Sequence, residues 1–306
     1  MGDRLATDLV EVSHDPVCLE DGDFWAVSTT FENEFTAAKF RTVIDAPFPT
    51  TPWIPLKGLW SSSLSAEQYV EYVERIRESV AEGWVYQVNA CRRLTHSDDG
   101  QSLRGLFSEM LKKNPAPWAS YFEVPGVMIA SASPELFLSR NGSTVKSSPI
   151  KGTQATNSQQ FGAKDQAENV MIVDLMRNDL GQICKSGTVE VPRLLSSEEH
   201  PGLQHLVSDV QGELLEGISW KQIFMALSPP GSVSGAPKSS ATQVIGENEI
   251  VRGPYCGALG WIQGDQALLS VAIRTFWKDT NINFGTGAGI TWGSDARAEW
   301  EETQLK

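Results

Sequence analysis

The clearest periodic stretch of the chain is "SLSAEQYVEYVERIRESVAEG", residues 63–83, where apolar side chains recur at three- and four-residue intervals. Ser65 is a natural N-cap, Gln68 completes a capping box with it, and Gly83 supplies the stop, so a helix is predicted between them. "WVYQVNACRRL" follows as a strand. The pattern then shortens to a period of two. "WASYFEV", "GVMIAS", "PELFLSR" and "TVKSSPI" read as antiparallel strands, the last two joined at Asn141-Gly142, a strong hairpin signal. A helix is predicted from about residue 159 to 177, and others near 219–227, 237–246 and 295–305. "TVEVPRLL", "LQHLVSDVQGEL", "YCGALGWI", "ALLSVAIRTFW" and "NINFGTGAG" complete the strands. Hairpin clusters with helices between them give an α+β fold and argue against an alternating βαβ chain.

Residues 1–60 lack this regularity. Short apolar pieces such as "FWAVSTTF" lead into "APFPTTPWIPLKG", whose prolines oppose regular internal structure. They read as a short N-terminal appendage and linker, and residues 61–306 as the main domain. No repeats or low-complexity tracts occur.

Composition narrows the class. The 306 residues carry 38 acidic and 25 basic side chains, a formal charge of −13, which disfavours nucleic acid and anionic membranes as partners. No apolar run reaches the roughly 18 residues of a membrane-spanning helix, and the first residues lack a signal-peptide core, so a cytoplasmic location is expected. Cys18, Cys91, Cys184 and Cys256 form no metal-site spacing or disulfide framework and read as packing residues.

Several groups could carry chemistry. Asp165 and Glu168 are three apart on one predicted helix, as are Glu299 and Glu302 on another. Such pairs could hold a hard divalent cation or form solvated acidic faces. "FGTGAGI" and "SPPGSVSGAPKS" are small-residue loops able to present backbone N–H groups to an anion, or plain turns, and neither is a nucleotide fingerprint. Arg274 interrupts an apolar strand, either facing solvent or poised for a carboxylate. His205 alternates with Leu203 and Leu206, and Glu135 opens a strand behind Pro134, where an acid could be held in a fixed position. Lys151 stands alone before Gly152-Thr153 in "SPIKGT".

Together, "SASPELFL", "SPIKGT", "AKDQAENVMIVDLMRNDLG", "VSDVQGEL", "PPGSVSGAPK", "VRGPYCGALGWI", "IRTF", "GTGAGI" and "SDARAEWEETQLK" resemble, in order and spacing, the chorismate-utilising enzyme family. The resemblance covers about residues 61–306. It implies a sandwich of two largely antiparallel β-sheets flanked by helices, with chorismate and Mg²⁺ in a cleft. It also implies that Glu168 and Glu302 are Mg²⁺ ligands, with Asp165 and Glu299 beside them. Tyr255, Arg274, Gly152, Thr153 and the backbone of Gly287, Ala288 and Gly289 would hold substrate, Glu135 would protonate the departing C4 hydroxyl, and His205 would be the site histidine.

Two positions divide the family's chemistries. Water-adding members have a lysine base where this sequence has Gln87, and Lys151 replaces the alanine typical of the anthranilate, isochorismate and salicylate synthases. The chain thus resembles the aminodeoxychorismate synthases, which implies that the Lys151 amine attacks C2 and that ammonia then adds at C4. A solvated lysine titrates near 10.4, so the site would have to favour the neutral amine. The resemblance further implies ammonia from a separate glutaminase subunit, or free. An anthranilate synthase-like enzyme and a non-catalytic chorismate binder are the competing expectations.

Overall fold

A computed structural model describes residues 1–98, 100–155, 161–200 and 203–305, the side chains of Thr153, Ala155 and His200 excepted. In chain order the first elements are β1 (Arg4–Ser13), β2 (Phe24–Thr29), β3 (Phe35–Asp45), β4 (Ser61–Ser62), α1 (Ala66–Ala81), β5 (Gln87–Ser97) and α2 (Leu103–Lys113). A strand-rich stretch follows: β6 (Ser120–Val124), β7 (Val127–Ser131), β8 (Leu136–Asn141), β9 (Thr144–Ser148) and β10 (Ile150–Ala155). Next come α3 (Ala163–Gly181), β11 (Glu190–His200), β12 (Leu203–Glu213), α4 (Trp220–Leu227), the single turn α5 (Gly231–Ser234), β13 (Gly235–Ala236) and α6 (Lys238–Asn248). The chain closes with β14 (Ala258–Gln263), β15 (Gln266–Val271), β16 (Thr275–Lys278), β17 (Asn281–Ile290) and α7 (Ala296–Leu305).

The strands form two sheets with antiparallel pairing throughout. One runs β1-β3-β2-β14-β15-β8-β9-β12-β10 with β11 on the far side of β12, and the other runs β13-β5-β17-β16-β7-β6 with β4 on β5. One large apolar cluster, including Val27, Val88, Leu138, Leu259 and Ile290, draws on both sheets. α3 packs on β10 to β12, while α1 and α7 pack on each other and on β5 and β17. The α+β sandwich expected from the sequence is present. No described helix is long and apolar enough to cross a membrane.

The irregular appendage expected over residues 1–60 is not what residues 4–45 form. β1, β3 and β2 extend the larger sheet, and Leu259 to Gln263 of β14 pair with Ser28 to Phe24 of β2. β1 eluded the pattern because its residues are partly or fully exposed along its whole length and a bulge falls between Leu9 and Glu11, so no alternation marks it. The proline-rich stretch has no regular structure, as expected, but it is packed: Phe48, Trp53 and Leu56 join Leu103 and Phe107 of α2 in a second apolar cluster. A side chain at Gly105 would overlap the Pro52 carbonyl.

α3 begins and ends later than the expected 159–177, and residues 159–160 lie outside the described ones. Its buried face is Asn169, Ile172, Val173, Met176, Asp179 and Leu180, while Val170 is exposed. The four cysteines are free thiols, three of them buried.

One buried ion pair knits the sandwich. Arg252 donates to Glu249 at 2.7 and 2.8 Å, and to the carbonyls of Val233 at 2.9 Å and Asn89 at 2.6 Å. Glu249 also accepts from Tyr72 Oη at 2.9 Å and from the Cys91 amide at 2.8 Å. The guanidinium thereby fixes the loop holding Val233 against β5. Arg252→Met should destabilise the protein by about 3 to 5 kcal/mol, because it leaves a buried carboxylate uncompensated, and adding Glu249→Leu should recover only part of the loss, because Tyr72, the Cys91 amide and two carbonyls stay unpaired. Urea unfolding of the single and double variants checks both expectations.

Candidate active site

Lys151 lies where β10 breaks register. Ile150 pairs with Val207 and Thr153 with His205, so the two intervening residues of β10 face a single residue of β12. Such a bulge re-aims a side chain and is common beside active sites. Gly152 makes it feasible, with φ of +84°, and an added Cβ there would stand 3.0 Å from Asp165 Cβ, where the start of α3 closes over the strand. The redirected Lys151 Nζ donates to the Ser232 carbonyl at 2.8 Å. It also lies near Gln87: a Cβ on Gly289 would overlap Gln87 Nε2 and stand 3.7 Å from Lys151 Nζ. The Gln87 side chain is buried, and neither polar atom has a hydrogen-bond partner.

Glu135 reaches the same place from a second irregularity, where the register of β8 against β15 shifts. Ser133 Oγ fixes the approach, accepting from the Glu135 amide at 3.2 Å and donating to the Val271 carbonyl at 2.6 Å. Glu135 is 4% exposed. Burial pushes its pKa up to about 7, opposed by the Ser232 hydroxyl, the Lys151 ammonium and the Ile150 amide. Lys151, Glu135, Ser232, Gln87 and Gly289 therefore converge.

The acidic helices close one side. Lys164 Nζ stands 3.9 Å from Glu168 and 3.7 Å from Glu299, so α3 and α7 bring a carboxylate each to one cation. Glu168 Oε1 is buried without a hydrogen bond. Burial raises the Glu168 pKa, Lys151 and Lys164 oppose the rise, and Asp165 and Glu299 add to it. Arg92 of β5 seats α7, donating to Thr303 Oγ1 at 2.9 Å with its guanidinium over the Trp300 ring. Glu302 is exposed on the same helix. Among the described residues, no three His, Cys, Asp or Glu side chains are grouped as a ready-made metal cage. Two carboxylates on facing helices, one with a buried oxygen that accepts no hydrogen bond, nevertheless suit Mg²⁺, which takes one or two carboxylates and completes its shell with water and substrate.

The remaining candidates sit around this centre. His205 is buried on β12, opposite Thr153 and Glu198, next to the Lys151 bulge. The side chain of Thr153 lies outside the described residues. Arg274 has φ of +51°, its carbonyl accepts from the Ala132 amide at 3.1 Å, and burial pulls its guanidinium below the ordinary arginine value. Tyr255 lies in the turn before β14 and packs on β17: its ring occupies the space that a side chain on Gly285 would need, and Cys91 Sγ lies 4.0 Å from its hydroxyl. Gly287 is pressed against Ala90 and Cys91, and Ala288 is buried. Two openings of about 640 Å³ each lie elsewhere and involve neither Lys151, Glu135 nor Ser232. Sequence reasoning did not single out Ser232 or Asn169. Asn169 binds the Leu206 carbonyl at 3.1 Å and accepts from Ser208 at 2.5 Å, tying the α3 carboxylates to β12.

Comparison with known proteins decides the family. Residues 20–306 match the family described as chorismate binding enzyme. The chain belongs to this family. It is 34% identical over 263 residues to anthranilate synthase component 1 of Saccharolobus solfataricus, covering 81% of this chain and 62% of that protein. It is 35% identical over 259 residues to aminodeoxychorismate synthase component 1 of Escherichia coli, covering 80% of this chain and 57% of that one. It thus spans less than two thirds of either relative. The crystal structure of anthranilate synthase component I from Streptococcus pneumoniae superposes with a TM-score of 0.79 at 24% identity, covering 99% of this chain and 79% of that one. The Escherichia coli isochorismate synthase MenF gives 0.82 at 16% identity, covering 99% and 83%. The chorismate binding fold is therefore shared well beyond sequence likeness.

A buried acid with a raised pKa has a sign that can be checked without turnover. Glu135 is protonated in both folded and unfolded chains below the ordinary 4.5, and the stability of the folded form is lost as pH rises from there through about 7. Glu135→Gln cannot ionise. Relative to the parent it should gain about 3 kcal/mol of stability between about pH 4 and about pH 8, and urea midpoints across that range test it.

Proposed function

We propose that this chain is an aminodeoxychorismate synthase component I, converting chorismate and ammonia to 4-amino-4-deoxychorismate and water for the synthesis of 4-aminobenzoate and folate. The observation that carries the reading is that the Lys151 amine, redirected by a bulge, and the buried Glu135 carboxyl, protonatable near neutrality, both reach Ser232. A neutral Lys151 attacks C2 of the ring, the double bonds shift, and the C4–O bond breaks as Glu135 gives its proton to the departing hydroxyl. Ammonia then adds at C4, the shift reverses, and the C2–N bond to Lys151 breaks. The proton shed by the nitrogen returns to Glu135. Gln87 in place of a lysine leaves no base there to activate water at C2.

Mg²⁺ would be held by Glu168 and Glu302, with Asp165 and Glu299 beside them, and would supply positive charge to a substrate carboxylate. Arg274, Tyr255, Gly152, Thr153 and the amides of Gly287 to Gly289 would orient the substrate, and His205 would line the ring pocket. Ammonia would come from a separate glutaminase subunit or from free ammonium. The second reading, anthranilate synthesis with pyruvate release, draws on a relative of that name at 34% identity, against 35% for the aminodeoxychorismate synthase.

Product analysis with chorismate, Mg²⁺ and ammonium separates the two readings. The account expects 4-amino-4-deoxychorismate, and anthranilate fluorescence without an added lyase would overturn it. Lys151→Ala should lower turnover by about 100-fold or more while the chorismate Kd changes little, since the carboxylate-binding groups remain; undiminished turnover would remove the lysine from the mechanism. Glu168→Gln should raise the half-saturating Mg²⁺ concentration by about 10- to 100-fold, read by titration calorimetry as well as by rate.

A further inference from the structure

Ser232 meets both Lys151, through its carbonyl, and Glu135, through its hydroxyl. It lies in the small-residue stretch between α4 and α6, and that stretch is clamped on every side. Gly231 is pressed against Leu175 and Met176 of α3, to the point that a Cβ would stand 2.7 Å from Leu175 Cδ2. The Val233 carbonyl is held by Arg252 at 2.9 Å. Ser234 Oγ turns back onto the Pro230 carbonyl at 3.1 Å. Gly235 and Ala236 pair with Val88 and Gln87 of β5. Lys238 closes the end, with Nζ 2.6 Å from the buried Asp179 of α3 and 3.1 Å from the Leu227 carbonyl. Ser232 itself is 5% exposed. A residue locked in this way presents its carbonyl and hydroxyl in fixed directions, as support for reacting groups requires.

We propose that Ser232 is a positioning residue that aligns the two reacting groups of the cleft. Its carbonyl takes one N–H of Lys151 and so directs the nitrogen lone pair, and its hydroxyl stabilises the carboxylate that Glu135 becomes on giving up its proton. This rests on the assignment of Lys151 and Glu135 as nucleophile and acid. Without the hydroxyl, a carboxyl desolvated to this extent would hold its proton more tightly and give it up more slowly. Among the described residues, the charged side chain acting on Glu135 is Lys151 of β10, joined by the neutral Ile150 amide and the Ser232 hydroxyl of α5.

The test is Ser232→Ala, which deletes the hydroxyl and keeps the carbonyl, compared with Ser232→Thr, which keeps both. In Ser232→Ala the falling limb of kcat against pH should move up by about 0.5 to 1 unit, because the acid stays protonated to higher pH, and kcat below that limb should drop by about 10-fold. KM for chorismate should change by no more than about 2-fold, and Ser232→Thr should restore the limb. Rates are read as chorismate consumption, so a different product would sink the assigned reaction without touching this comparison. A parallel infrared titration of the Glu135 carboxyl band, identified by its loss in Glu135→Gln, needs no turnover. If Ser232→Ala does not fold, Ser232→Cys, a weak donor of similar size, takes its place. A limb and a carboxyl titration that coincide with those of the parent would overturn the proposal.

Discussion

The 2.8 Å contact between Lys151 Nζ and the Ser232 carbonyl is the constraint on which the site depends, because it joins a strand of the larger sheet to a stretch pinned to the smaller one. Lys151 belongs to a bulge in the larger sheet. Ser232 belongs to a stretch pinned to β5 of the smaller sheet and to α3. Whatever fixes that stretch also fixes the lysine, and the buried Arg252–Glu249 pair and the Asp179–Lys238 pair both do so. Neither pair touches Lys151 or Glu135. Their effect is to remove freedom from the backbone that carries Ser232, so that two groups from distant strands meet without an ordering cost at the moment of reaction.

The electrostatics follow from where charge is buried. A chain with a formal charge of −13 offers an anionic substrate no long-range attraction. Lys151 and Lys164 are concentrated at the cleft instead, and both act on Glu168, while Arg274 is half-buried beside the strand that leads to Glu135. Burial raises both Glu135 and Glu168, but their surroundings differ. Glu135 meets a single lysine and a hydroxyl, which suits an acid. Glu168 has like-charged neighbours on two helices, an arrangement that a divalent cation relieves.

Much of this was legible in the sequence. The α1 capping box, the Asn141-Gly142 hairpin and the four later helices follow from local pattern, and the resemblance picks out Lys151, Glu135 and the acidic pairs. The misses have physical causes. β1 was lost because an edge strand exposed along its length has no alternation to detect, and β2 because it is buried at nearly every residue and reads as a short apolar run. α2 was lost because Gly105 interrupts an otherwise amphipathic run, and the reason for that glycine, the Pro52 carbonyl lying on the helix, is tertiary. Ser232 is one small residue among many, and the part of it that meets Lys151 is a backbone carbonyl, which leaves no trace in sequence. The bulge that aims Lys151 is equally silent, apart from the glycine after it.

The central claim is that Lys151 bonds covalently to the ring. The most direct measurement is the intact mass of the protein quenched after exposure to chorismate and Mg²⁺ without any nitrogen donor, followed by peptide mapping. The account predicts a gain equal to chorismate less one water, carried on the peptide containing Lys151 and discharged on adding ammonium. An unmodified Lys151 under those conditions, in protein that forms 4-amino-4-deoxychorismate once ammonium is present, would contradict it.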